Sequence, residues 1–199
     1  MSETVNLTKG ENINLTKEAP GLKNVVVGLG WDVLESAGSA DLDAMALLLG
    51  ADGKVRSAKD FIFYGTSKID GKIKSVDGSV EHTGDNLTGE GDGDDEQIKV
   101  SLDTVPADVD KIKFIVDIYQ AQSKNQNFGQ VKNAFVRLVN GDDQSEIVRY
   151  DLSEDYSGKI AVVVAELYRN NGEWKFKALG EGSAVPAGEF AREHGVTVS

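Results

Sequence analysis

The sequence predicts an all-β protein, one antiparallel β-sandwich over residues 1–199 with a short C-terminal helix. Three observations lead there. Short apolar or alternating runs are separated by turn pairs such as Asp52-Gly53, Asp77-Gly78, Asn140-Gly141 and Asn171-Gly172, at roughly the 8–12-residue spacing of an all-β domain. The runs are rich in valine, isoleucine and aromatic residues, which suit a pleated, half-buried surface. Helical periods do not alternate with them, as a parallel α/β sheet would require. The length is ample for a sizeable core.

Taken in order, Asn6-Leu7-Thr8-Lys9 recurs as Asn14-Leu15-Thr16-Lys17 on either side of Gly10-Glu11-Asn12, which predicts two short strands around a turn. Val25-Val26-Val27 opens a buried strand that runs to Asp32, and Gly28 and Gly30 within it predict a bulge or a close backbone approach. Asp41-Leu42-Asp43 leads into the apolar run Ala44 to Leu49; on a strand the two aspartates share one side and Leu42 takes the other. Phe61-Ile62-Phe63-Tyr64 is an aromatic strand, and Gln97 to Leu102 alternates as a half-buried one. His82, just before the acidic stretch 84–96, reads as a surface residue at a strand end, with a pH-sensitive neighbour of that stretch as the alternative.

Lys113 to Tyr119 predicts a central strand whose one carboxylate is Asp117, followed by a polar connection from Gln120 to Gln130. Phe135 to Val139 and Glu146 to Leu152 are the next strands, and Ile160 to Tyr168 is the strongest apolar segment. Alternation sets Glu166 in register with Ile160, Val162 and Val164, pointing inward. A buried carboxylate needs a partner; Arg149 or Arg169 is favoured over a metal. Asn170-Asn171-Gly172 is a hairpin turn before Glu173 to Ala178, and the tail from Val185 to Gly195 reads as a helix, with Pro186 in its first turn and Gly195 at its end.

Composition excludes several functions. A net charge of −12 and a pI near 4.6 oppose binding to nucleic acid, or to anionic membranes unless a metal intervenes. The absence of cysteine removes disulfides, thiolate metal sites and thiol chemistry. Two histidines are too few for the usual zinc or copper sites. There is no Gly-x-Ser-x-Gly elbow and no phosphate-binding loop of the Gly-x-x-x-x-Gly-Lys type. The start of the chain lacks the basic and apolar regions of a signal peptide, and no apolar run reaches the ~18 residues of a membrane span, so a cytoplasmic location is expected.

The most chemically pointed stretch is Gly84-Asp85-Asn86-Leu87-Thr88-Gly89-Glu90-Gly91-Asp92-Gly93-Asp94-Asp95-Glu96, with six carboxylates, four glycines and no positive charge. Like charges this dense resist compaction, and a hard divalent cation relieves them; Ca²⁺ accepts six to eight oxygen ligands in flexible geometry. The alternative is a solvated acidic linker, against which stand the strand-like flanks and the interspersed Asn86, Thr88 and glycines. Asp41 and Asp43 could complete such a cage, or be no more than a solvated strand entry. An EF-hand frame from Asp85 to Glu96 fails at Leu87, Gly89 and Glu90, and a calcium β-roll needs stacked copies of its repeat where only one is present.

The same stretch closely resembles the signature of the TerD-domain tellurium-resistance and stress protein family. Leu29-Gly30-Trp31-Asp32, Asp41-Leu42-Asp43, Phe61-Ile62-Phe63-Tyr64, Gln126-Asn127-Phe128-Gly129-Gln130-Val131 and Glu166-Leu167-Tyr168-Arg169 agree with it, from about Leu7 to Gly180. One departure is Leu87, where the family usually carries arginine. The resemblance implies a single calcium-binding β-sandwich domain and two Ca²⁺ ions. It implies a part in bacterial resistance to tellurite and other stresses, exerted through partner proteins of the stress or tellurium-resistance kind and without catalysis. Carried over by motif, the metal ligands are Asp41, Asp43, Asp85, Asn86, Asp94, Asp95 and Glu96, with the carbonyls of Gly89 and Gly91. Two alternatives use the same carboxylates: a metal-dependent enzyme, and a calcium-bridged adaptor on anionic lipid, which would be a peripheral membrane complex.

Overall fold

Alternating strands sort their side chains onto two faces, and the fold joins the two apolar faces. The computed structural model describes residues 3–34, 40–84, 93–152 and 154–197. One sheet, called A here, contains β1 (Val5–Asn6), β11 (Glu146–Asp151), β10 (Val131–Asn140), β3 (Asn24–Val33), β8 (Glu96–Ser101), β7 (Val80–His82) and β6 (Ile73–Lys74), neighbouring in that order. Sheet B contains β2 (Asn12–Asn14), β13 (Glu173–Ser183), β12 (Ala161–Asn170), β9 (Lys111–Ile118), β4 (Leu42–Leu49) and β5 (Phe61–Ile62), again in order. The all-β class is as the sequence predicts. Among the described residues every strand pairing is antiparallel except that of β1 with β11.

Between the sheets lie Val27 and Leu29 of β3, Ile98 and Val100 of β8, Ala44 and Leu48 of β4, Phe114 of β9 and Phe176 of β13, all essentially inaccessible. A second apolar layer sits on the far side of sheet B. Met45, Leu47, Leu49, Ile115 and Val163 pack there under Ala187 and Ala191 of the terminal helix α3 (Ala187–Glu193). Being covered on both faces explains why β4 is apolar nearly throughout rather than alternating. Gly195, at φ +95°, follows α3 as the sequence predicts, while Pro186 caps the helix from an extended conformation instead of entering its first turn.

Four local expectations change. The echoed segments at residues 6–9 and 14–17 do not pair with each other: β1 joins sheet A, β2 joins sheet B, and the second copy continues into a single helical turn, α1 (Leu15–Glu18). The aromatic strand is only Phe61–Ile62. The polar connection after β9 holds a short helix, α2 (Ala121–Lys124). Finally, a register shift between Val163 and Ala165 turns Glu166 away from the face of Val162 and Val164. Its carboxylate meets Lys111 Nζ at 3.4 Å instead of Arg149 or Arg169. Gly28 and Gly30 are places of close approach: a Cβ on Gly28 would overlap the Asp94 carboxylate, and one on Gly30 would overlap the Phe135 ring.

Candidate metal site

The acidic stretch ends where β8 begins, and its last three carboxylates go to three different surroundings. Asp94 lies over Gly28 on the outer face of sheet A, its side chain 2 % exposed. Arg137 of β10 grips both its oxygens, Nε to Oδ1 at 2.7 Å and a terminal nitrogen to Oδ2 at 3.1 Å, and Gln97 Nε2 donates to Oδ2 at 3.0 Å. A two-pronged guanidinium–carboxylate contact is among the stronger polar pairings in proteins. Arg137 also reaches Glu146 at 3.1 Å, and these contacts raise the pKa of its guanidinium.

Asp95 extends the ladder by one step: its N–H donates to Leu29 O at 2.7 Å, and its Oδ2 accepts from Trp31 N–H at 2.8 Å. Its carboxyl is held above the ordinary range, first by burial and then by the charges of Asp32 and Asp94, against the pull of the Trp31 amide. Glu96 points between the sheets with Ile98 and Val100. Its Oε2 accepts from Ala44 N–H at 2.6 Å and lies 3.6 Å from His82 Nε2.

His82 is therefore a buried residue, at 3 % exposure, and not the surface histidine of the sequence reading. Gly84 N–H donates to its Nδ1 at 3.1 Å, which leaves the ring proton on Nε2, 2.9 Å from Ala44 O. The reason lies in β4. Its neighbour β5 pairs with Ala46 and Leu47, so among the described residues no strand lies beside the backbone of Ala44 on that edge. Glu96 and His82 satisfy that N–H and C=O in place of a strand, which a sheet edge needs when it is buried.

Asp43 is 3 % exposed on the outer face of sheet B, the side of Met45, and pairs across the ladder with Asp117 of β9. Burial pushes the Asp117 carboxyl up to about 6, opposed by the Ala187 N–H that donates to Oδ2 at 3.1 Å and helped by the charge of Glu96. Asp41 stands just before β4, where its carbonyl accepts from Tyr119 N–H at 2.8 Å. Asp85, Asn86, Gly89 and Gly91 lie outside the described residues.

The structure thus joins the Asp41–Ala44 and Asp94–Glu96 segments at one end of the sandwich, while sending Asp94 and Asp43 to opposite outer faces. The donor chemistry, oxygen apart from a fully engaged imidazole, suits a hard divalent cation. Among the described residues alone, no group of three acidic or histidine side chains is placed to hold one ion. Sequence reasoning missed Arg137 and Asp117 as parts of this region, and set His82 beside the acidic loop while favouring a surface position for it. Of the two missed, only Asp117, a lone carboxylate in an apolar strand, carried a local signal.

The family described as the TerD domain matches residues 3–194. The chain belongs to that family. It is 55% identical over 197 residues to the tellurium resistance protein TerD of an Alcaligenes species, covering 98% of this chain and all of that one. It is 50% identical to general stress protein 16U of Bacillus subtilis, covering 98% of this chain and 99% of that one. A solved Streptomyces coelicolor homologue of the telluride resistance protein shares the fold at a TM-score of 0.61, with 25% identity over 86% of this chain and 96% of that one. No helix among the described residues of this TerD-domain protein is long and apolar enough to cross a membrane.

Proposed function

We propose that this TerD-domain protein binds calcium without being an enzyme, and serves bacterial tellurite resistance and the general stress response through calcium-dependent folding or partner binding. One observation carries the reading. The bond from Ala44 N–H to Glu96 Oε2, at 2.6 Å between residues 52 apart in sequence, brings the Asp41 segment against the end of the acidic loop. The raised Asp95 carboxyl beside Asp32 and Asp94 supports it, because accumulated negative charge is what a bound cation relieves. The favoured ligands are Asp41, Asp95 and Glu96 with Asp85, Asn86, Gly89 and Gly91 of the loop. Asp94 is spent on Arg137, and Asp43 serves the other face. Its relatives' names, one for tellurium resistance and one for general stress, supply the physiological setting. The absence of any thiol makes direct reduction of tellurite by this chain a poor account, so action through stress or tellurium-resistance partners is part of the proposal. A cytoplasmic location belongs to it too, since a cysteine-free chain needs no oxidising compartment.

Melting in calcium and in EDTA tests it. At free Ca²⁺ of ~100 times Kd, a single site stabilises the fold by roughly 2.7 kcal/mol, which shifts the midpoint of a domain this size by a few degrees. Identical midpoints would sink the calcium reading. Failure of an Asp95→Asn variant to lower tellurite survival, despite losing the calcium shift, would separate calcium from the resistance role.

A further inference from the structure

The outer face of sheet B carries a cavity of about 610 Å³, within the ~300–1,000 Å³ common for small-molecule sites. It faces away from the inter-sheet end where Glu96 meets Ala44, and the calcium reading does not use it. One wall is a chain of rings. Phe61 stacks on Phe63 with centroids 4.9 Å apart, Phe63 meets Tyr64 edge-on at 5.4 Å, and Tyr64 meets Tyr119 edge-on at 5.9 Å. Tyr64 and Tyr119 are 39 % and 37 % exposed although both are large and largely apolar.

The floor is acidic. Asp43 and Asp117 sit opposite each other on β4 and β9 and both line the cavity. Asp117 is 9 % exposed; its Oδ2 is held by the Ala187 amide, while its Oδ1 has no hydrogen-bond partner among the described residues. Two carboxylates this deep favour a positive charge nearby. The described lining brings only two carboxylates and no histidine, a thin set for a cation that takes six to eight oxygens, whereas aromatic faces attract an organic cation, whose body is readily desolvated. Lys124 shows the preference within this chain: its Nζ is 5.2 Å from the Tyr119 centroid, from outside the cavity lining.

We propose that this cavity binds a small organic monoammonium ligand, its charged group between Asp117 and Asp43 and its apolar body against Phe63, Tyr64 and Tyr119. Arg192 also lines the cavity, and its charge selects against a second ammonium, so a polyamine is a poorer ligand than a monoamine.

The test is an NMR titration of the calcium-saturated protein with phenethylammonium, with phenethyl alcohol as a neutral probe of nearly the same shape. The expected result is saturable shifts at the amides of Tyr64, Tyr119 and Ala187, with the alcohol at least about tenfold weaker, the scale of one desolvated cation–π contact. Asp117→Asn, which keeps an oxygen for the Ala187 amide, weakens phenethylammonium about tenfold without lowering the melting temperature, and Tyr119→Ala weakens it similarly. Spermidine binds less tightly than phenethylammonium. Equal affinity for the two phenethyl probes, shifts centred elsewhere, no shift at about 10 mM probe, or undiminished binding by Asp117→Asn would each overturn the proposal.

Discussion

The two outer faces of the sandwich treat buried carboxylates in opposite ways. On sheet A, Asp94 is closed over by Arg137 and Gln97, and its charge is answered inside the chain. On sheet B, Asp117 receives one backbone N–H and faces a second carboxylate, Asp43, across the strand pair. The first arrangement is finished structure. The second holds Asp117 by one amide beside another acid, at a cost in stability, in a place with room for a ligand. A neutralised acid reports on how the fold is held together, whereas a buried acid held by a single amide in a cavity points to something the fold is made to receive.

Removing the internal cation should have the largest effect. Arg137→Met leaves Asp94 buried without its partner, and breaking such a pair costs about 3–5 kcal/mol; urea unfolding measures it. If the loss is below about 1 kcal/mol, the pair is a surface contact and the contrast between the faces disappears. Next is Asp117→Asn, with the opposite sign. The folded-state pKa is raised from 3.8 to about 6, so the folded protein binds the extra proton and loses stability as pH rises from about 4 through about 6. At neutral pH without calcium the asparagine variant should be more stable by about 2–3 kcal/mol, at roughly 1.4 kcal/mol per pKa unit. Its stability should lack the wild-type decline across that window. An unchanged pH profile would remove Asp117 as an uncompensated acid.

A smaller effect is expected at Gly28→Ala, where the added methyl overlaps the Asp94 carboxylate and must displace it from Arg137. Overpacking of this kind costs typically 1–3 kcal/mol. The double variant with Arg137→Met should lose less than the sum, because both act on one contact. Least of all is Glu166→Gln. Its partner Lys111 is 34% exposed, so the pair is worth well under about 1 kcal/mol, and a larger loss would mean that Glu166 faces the core after all.

Where the sequence read correctly, the signal was local. The valine run of β3 and the Asn171-Gly172 turn, with φ of +52° and +75°, state their structure within a few residues. What was not legible depended on distant partners. Arg137 looks like any strand arginine until a residue 43 positions away meets it. His82 looks exposed until β5 proves too short to cover Ala44, and Glu166 looks inward until one residue of slip in β12 reverses its side. Alternation assumes an unbroken pleat, and a bulge is set by the neighbouring strands rather than by the run itself.

The separation of β1 and β2 bears on the order in which the protein is assembled. Residues 5–6 attach to β11 and residues 12–14 to β13, so one short segment stitches an edge of each sheet. Its partners, at 148–149 and 175–177, are near the other end of the chain. Contacts of such long range form late and slowly. On the ribosome, this segment emerges more than a hundred residues before either partner and cannot make these pairings until they have followed. Until then the outer strands of both sheets stay open to other chains, and that interval is when a nascent copy most needs a chaperone.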